Sequence, residues 1–259
     1  MREFDDADHW DIAAQRYRQM AHPFTQLFAQ ASLRHVPLNP ASRVLDVGAG
    51  TGALALAAAQ TGARVLATDF SPGMVASIAA EQVPNIEARL MDGQALDLPD
   101  AGYDAVFSIF GVIMFPDWRK GLAEMCRVTR PGGFGVVATW KERGAATFLL
   151  LGQIRQKLFP DRDAMTMPEG VLAMRTPDAL AQAMVEAGYR DPRIESVTYD
   201  FILEIQDLDE PDLLFGLSPD WTSLSAKEKS DVIDEVRRMA GTKKTLPIPS
   251  TALIATAIR

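Results

Sequence analysis

The chain has 259 residues, 47 % of them apolar, enough for a sizeable buried core, and its composition is that of an ordinary globular protein. A formal net charge of −8 without any long basic cluster disfavours a nucleic-acid partner. No apolar run reaches the roughly 18 to 20 residues that span a bilayer, and MREFDDADHW is too acidic for a targeting peptide, so a cytoplasmic chain with no membrane contact is expected.

Residues 8–35 are polar and helical in pattern. RVLDVG, from Arg43, reads as a buried strand, and ALALAAAQ as a helix closed by Gly62. ARVLATDF is a second strand, and SPGMVASIAAEQ starts as a helix should, with Ser71 as cap and Pro72 in first position. IEARLMD alternates as a strand, whereas YDAVFSIF has the continuous apolar character of a strand covered on both faces. A helix follows around Leu122, in which the single cysteine, Cys126, shares a face with Leu122, Met125 and Thr129; RPGG breaks it before the strand FGVVATW. Beyond Trp140, GAATFLLLGQIRQKLF reads as an apolar helix and RDAMTMPEGVLAM as a Met-rich loop. Helices near 177–187 and 225–240 and strands near 193–204 and 250–258 complete the pattern. Strands alternating with helices imply right-handed crossovers and a parallel, doubly wound sheet, which binds ligands beyond the carboxyl ends of its strands.

The first strand-to-helix turn carries Gly48, Gly50 and Gly52 at alternate positions, at that binding edge. A glycine there lets a ligand approach the main chain, and packing alone explains one glycine better than three. The spacing is G-x-G-x-G, not the G-x-G-x-x-G of dinucleotide sites. Asp46, two residues before Gly48, would repel a pyrophosphate but accept hydrogen bonds from an ammonium group or a water, or order the loop. A nicotinamide-dependent oxidoreductase is disfavoured on both counts.

These residues resemble the class I S-adenosylmethionine-dependent methyltransferases, in particular the small-molecule branch similar to the ubiquinone/menaquinone biosynthesis enzymes. VLDVGAGTG is similar to the family's first motif and puts Asp46, Gly48, Ala49, Gly50 and Gly52 at the cofactor. ATDFSPGMV resembles the second motif, with Asp69 on the ribose hydroxyls and Phe70 and Met74 beside the adenine; Phe70 and Met74 fit a core role equally. MDGQALDLP resembles the adenine clamp, here Asp92, Gly93 and Gln94, and YDAVFSIFGVIMF the segment lining the methionine and substrate from Ser108 onward. The implied fold is α/β, a doubly wound seven-stranded Rossmann-like sheet with a terminal antiparallel strand. The implied division is an N-terminal helical lid (1–40), a cofactor-binding core (41–142), a helical cap (143–176) and the rest of the core (177–259) with a helical insertion near 207–242.

The resemblance implies methyl transfer from S-adenosyl-L-methionine, with S-adenosyl-L-homocysteine as product, to an O, N or C nucleophile of a small organic molecule. The alternative is a non-methylating user of the same cofactor, a binding protein or pericyclic-type catalyst. SIFGVIMF lacks the Asn/Asp-Pro-Pro-aromatic run of enzymes that methylate amino groups on bases and glutamine. Only Asp117 lies where a catechol-type magnesium site would be, and one cysteine cannot serve arsenic chemistry, so no metal is expected. His9, Trp10, Phe110, Val112, Met114, Phe115 and Trp140 are the candidate substrate pocket, although the last five suit a sheet-to-helix core as well. All three histidines lie in the N-terminal segment, so an imidazole base comes only from there; His35 is expected to be solvated, which leaves His22 first, with Tyr17 and His9 behind it. Tyr17 is also the aromatic that the lid helix would close over the methionine end. The chain is expected to act as a monomer or homodimer.

Overall fold

The computed structural model describes residues 7–142, 144–162 and 167–259. Part of the Met-rich loop, 163–166, therefore lies outside the described residues. The polar N-terminal pattern forms two helices, α1 (Ala7–Met20) and α2 (His22–Leu33), because Pro23 in the first turn of α2 cannot donate to a continuing helix. The apolar runs become β1 (Arg43–Val47), β2 (Arg64–Asp69) and, later, β4 (Tyr103–Ile109), in which nearly every residue after the first is buried, as strands covered on both faces require. Between them come α3 (Ala53–Ala59), α4 (Pro72–Ala79) and the half-exposed β3 (Ile86–Leu90). Ser71 caps α4 as expected, its Oγ accepting the Met74 N–H at 3.2 Å. Asp117 caps α5 (Trp118–Val128) in the same way through the Lys120 N–H, at 3.0 Å.

Two expectations are corrected: Glu169–Ala173, within the segment read as a Met-rich loop, form a short helix, and one strand boundary moves. RPGG lies inside β5 (Thr129–Trp140), not before it. The pairing partner of Tyr103 is Thr129 and that of Ala105 is Phe134, so the extra residues are taken up as an irregularity in register. After α6 (Ala146–Leu158), α7 (Glu169–Ala173) and α8 (Pro177–Glu186) come the long strand β6 (Arg190–Glu204), the short helices α9 (Pro211–Phe215) and α10 (Pro219–Thr222), α11 (Ala226–Ala240) and β7 (Thr245–Ile258). The sheet order is β3-β2-β1-β4-β5-β7-β6, with β1 to β5 parallel and β7 antiparallel to β5. This is the seven-stranded sheet with a terminal antiparallel strand that the motifs imply. No helix among the described residues is long and apolar enough to cross a membrane.

The chain forms two compact units. The first comprises 1–141, 168–197 and 252–259 and holds the sheet core, with Val44, Leu45, Phe107, Val136 and Leu253 fully buried. Here α7 packs on the 3-10 turn Val112–Met114, so residues 168–176 sit with the sheet. The second comprises 142–167 and 198–251, in which α6 packs on α9, α10 and α11 around the buried Phe215 and Trp221. Its longest helix, α11, begins with a capping box between Ser225 and Glu228.

Candidate active site

Within the first unit a cavity of about 290 Å³ opens beyond the carboxyl ends of β1, β2 and β4, close to the size of ordinary small-molecule sites. The turn after β1 forms its floor. Gly48, Gly50 and Gly52 all have positive φ (66°, 55° and 86°), which favours glycine independently of any ligand. Their surroundings differ. A Cβ on Gly52 would meet Ile78 at 2.9 Å, so this glycine serves packing against α4, and it does not line the cavity. Gly48 and Gly50 do, and a Cβ on Gly50 would point toward Tyr17, 3.7 Å away across the cavity mouth.

Two buried carboxylates face this space. Asp69, at the end of β2, accepts the Gly50 N–H on Oδ2 at 2.8 Å and the Ser71 N–H on Oδ1 at 3.0 Å. Burial raises its pKa, and those backbone bonds work against the rise. Asp46, at 1 % exposure, accepts the Ala55 N–H at 3.1 Å; burial pushes it up to about 7, the Ala55 bond opposes this, and the charge of Asp69 adds to it. A cavity with two desolvated carboxylates favours a ligand bearing positive charge.

The far wall comes from the β2–α4 and β3–β4 connections. Phe70, Met74, Asp92, Gly93 and Gln94 all line it. Asp92 Oδ1 accepts the backbone and side-chain N–H groups of Gln94, while Gln94 Oε1 accepts the Asp117 N–H at 2.9 Å. Residue 93 has room for nothing larger than glycine, because a Cβ would lie 2.5 Å from the Phe115 ring. Phe115, expected in the apolar pocket, lines the cavity, whereas sequence reasoning missed Gly111, Met91, Thr25 and Thr51 as lining residues. Gly111 alone carried a signal: a Cβ there would meet the Gly48 oxygen at 2.8 Å and Ser108 Oγ at 2.9 Å.

Ser108 stands behind the wall. Its Oγ donates to the Val47 oxygen at 2.7 Å and accepts the Val112 N–H at 2.8 Å, tying the ends of β1 and β4 together. Of the residues expected in a substrate pocket, Trp10, Phe110 and Met114 line the cavity. Val112 is fully buried, and Trp140 stacks on Phe110 at 3.9 Å between ring centres and nearly parallel, so Trp140 backs the cavity without lining it. Phe110 holds a left-handed backbone, φ 62°, at the end of β4, and Phe28 meets its ring edge-on at 5.4 Å. His9 packs edge-on against Trp10 at 5.4 Å and does not line the cavity.

The structure does not place His22 in the cavity. It borders a separate surface groove with Arg18, Gln26, Leu56 and Glu81, on the far side of Thr51, and its Nδ1 lies 2.7 Å from Thr51 Oγ1. Burial and then the Arg18 charge push its pKa down to about 4, which leaves a weak base. Tyr17 does line the cavity, but burial pushes its phenol up to about 12 against a hydrogen bond with Thr25, so it is a hydroxyl at neutral pH. His35 is exposed, as expected, and its Nε2 lies 3.0 Å from Glu195. Among the described residues no three His, Cys, Asp or Glu side chains cluster in a way that could hold a metal ion.

Comparison with known proteins shows the family. A family profile described as a methyltransferase domain matches residues 44–133. A demethylmenaquinone methyltransferase of Mycolicibacterium gilvum is 33 % identical over 183 residues, covering 67 % of this chain and 79 % of that protein. One of Thermus thermophilus is 34 % identical over 172 residues, 61 % of this chain and 78 % of the relative. Among solved structures, a SAM dependent methyltransferase from Aquifex aeolicus superposes with a TM-score of 0.51 at 18 % identity, covering 89 % of this chain and 88 % of that one, a likeness of fold. The chain belongs to the class I S-adenosylmethionine-dependent methyltransferases. Within them it is similar to the menaquinone methyltransferases, and it transfers a methyl group from S-adenosyl-L-methionine to a small molecule.

Proposed function

We propose that the cavity over the glycine turn is the cofactor site and that Asp69 is its anchor. The observation that carries this reading is the pair of backbone bonds on Asp69, from Gly50 and Ser71, which aim a desolvated carboxylate into the cavity before any ligand arrives. Such a carboxylate would hold a ribose diol, Phe70, Met74 and Phe115 would enclose the adenine, and Asp46 would face the ammonium end, directly or through water. The glycine floor fits the group, since a side chain at Gly50 would enter the space between the turn and Tyr17. When bound, S-adenosyl-L-methionine supplies an electrophilic methyl group.

The chain's own residues then have to orient the acceptor and keep water out. Tyr17 and Trp10 from α1 close one side, and Phe110, held by Phe28 and Trp140, forms a rigid apolar wall on the other. Among the described lining residues there is no His, Lys or Arg. No imidazole or amine base is at hand in that lining, and positioning alone is worth up to ~7 to 11 kcal/mol, which supports alignment as the chief contribution. We propose an acceptor of the kind named for those relatives, a demethylated menaquinone, whose apolar body suits the wall formed by Phe110 and Trp10. The test is incubation with methyl-labelled S-adenosyl-L-methionine and demethylated quinols reduced in place. Label on the ring carbon or oxygen supports the reading, and label on neither, with transfer to an amine pool instead, overturns the acceptor class.

A further inference from the structure

Gly73 is the second residue of α4, a position where glycine is a poor choice for a helix of eight residues. The reason lies in α1. A Cβ on Gly73 would sit 2.5 Å from Asp11 Oδ1 and 3.1 Å from the Asp11 carbonyl oxygen. Without it, Asp11 Oδ1 accepts the Gly73 N–H and lies 3.4 Å from Ser71 Oγ, so a carboxylate of α1 sits on the first turn of α4, where unpaired N–H groups face outward.

Seven residues on, two turns along the same face of α1, Arg18 pairs with Glu81 just beyond the other end of α4. Arg18 also donates at 3.0 Å to the carbonyl of Thr51, a residue that lines the cavity. The neighbouring stripe of α1 has the same spacing: Trp10 and Tyr17 both line the cavity. The sequence thus repeats an aromatic followed by a charge, Trp10-Asp11 and Tyr17-Arg18, with the aromatics over the cavity and the charges on α4.

We propose that Asp11 on Gly73 and Arg18 on Glu81 are the two ends of a latch that holds α1 across the cavity. These four positioning residues set how fast the cofactor enters and leaves without touching it. The inference rests on the cavity being the cofactor site, and its test has one arm that does not. Gly73→Ala removes no charge and improves the helix, yet drives Asp11 off; Glu81→Gln weakens the other end by altering one half-exposed side chain and carries the test should Gly73→Ala fail to fold. In the ligand-free protein, amide hydrogen exchange of residues 7–20 is expected to accelerate at least tenfold in each variant. S-adenosyl-L-homocysteine, followed by tryptophan fluorescence in stopped flow, is expected to dissociate at least tenfold faster, and Arg18→Lys, which keeps the pair with Glu81, to fall closer to wild type than Arg18→Ala. Exchange and dissociation both within twofold of wild type overturn the latch, as does accelerated exchange with unchanged dissociation. Accelerated exchange in a protein whose wild type binds no S-adenosyl-L-homocysteine supports the latch and overturns the cofactor site instead.

Discussion

Asp69 and Gly50 are joined across the ends of two neighbouring strands: Asp69 Oδ2 accepts the Gly50 N–H at 2.8 Å. The bond fixes the glycine turn and the carboxylate relative to each other, so a change at either residue is felt at both.

Gly50→Val tests this from the glycine side. At φ 55° a β-branched residue is strained, and its side chain would point across the cavity toward Tyr17. The expected result is a folded protein, by circular dichroism, that binds S-adenosyl-L-homocysteine at least tenfold more weakly in calorimetry.

Asp46→Asn should exchange function for stability. Burial raises the Asp46 pKa from 3.8 to about 7, so the folded state holds a proton that the unfolded state has released over that interval. The fold accordingly loses stability as pH rises from 3.8 to about 7 and stays lower above it. Asparagine keeps an acceptor for the Ala55 N–H and carries no charge. At pH 8 the variant is expected to unfold at a Tm several degrees higher, a gain of roughly 1 to 3 kcal/mol. The gain should vanish near pH 4, and cofactor affinity should fall.

His22 gives the opposite pH dependence. Its pKa is pushed from 6.5 down to about 4, so below pH 6.5 the unfolded chain takes up a proton that the folded one refuses. Stability from this group is present above pH 6.5, falls as the pH drops toward 4, and is constant below. In His22→Asn, the difference between urea midpoints at pH 7 and pH 4.5 is expected to shrink. Because His22 lies outside the cavity, the variant is expected to keep turnover within a few-fold; a loss of 100-fold together with the acid limb of the rate profile would restore it as a general base.

Much of the core could be read from the sequence because its signals are local. Four apolar runs, three alternating glycines and the Ser71-Pro72 start each fix a short piece of chain, and the parallel sheet follows from their alternation. The failures arise where contact partners are far apart in sequence. Gly52 resembled a cofactor residue until Ile78 was found against it, 26 residues away, and Ser108 acts on the Val47 carbonyl from the next strand. His22 stands first as a base only because the histidines all lie in the N-terminal segment; a new helix begins at His22, and the ring meets Thr51. Gly73 carries no local signal, since its partner is Asp11, 62 residues earlier.

The most direct measurement of the central claim is calorimetric titration of S-adenosyl-L-methionine and S-adenosyl-L-homocysteine into the wild type and Asp69→Ala. A carboxylate that holds two ribose hydroxyls contributes roughly 1.5 to 3 kcal/mol per bond, so the variant should bind both ligands at least tenfold more weakly. It also frees the Gly50 and Ser71 N–H groups, which deepens the loss. Affinities for both ligands unchanged by the substitution would contradict Asp69 as the anchor and move the cofactor elsewhere.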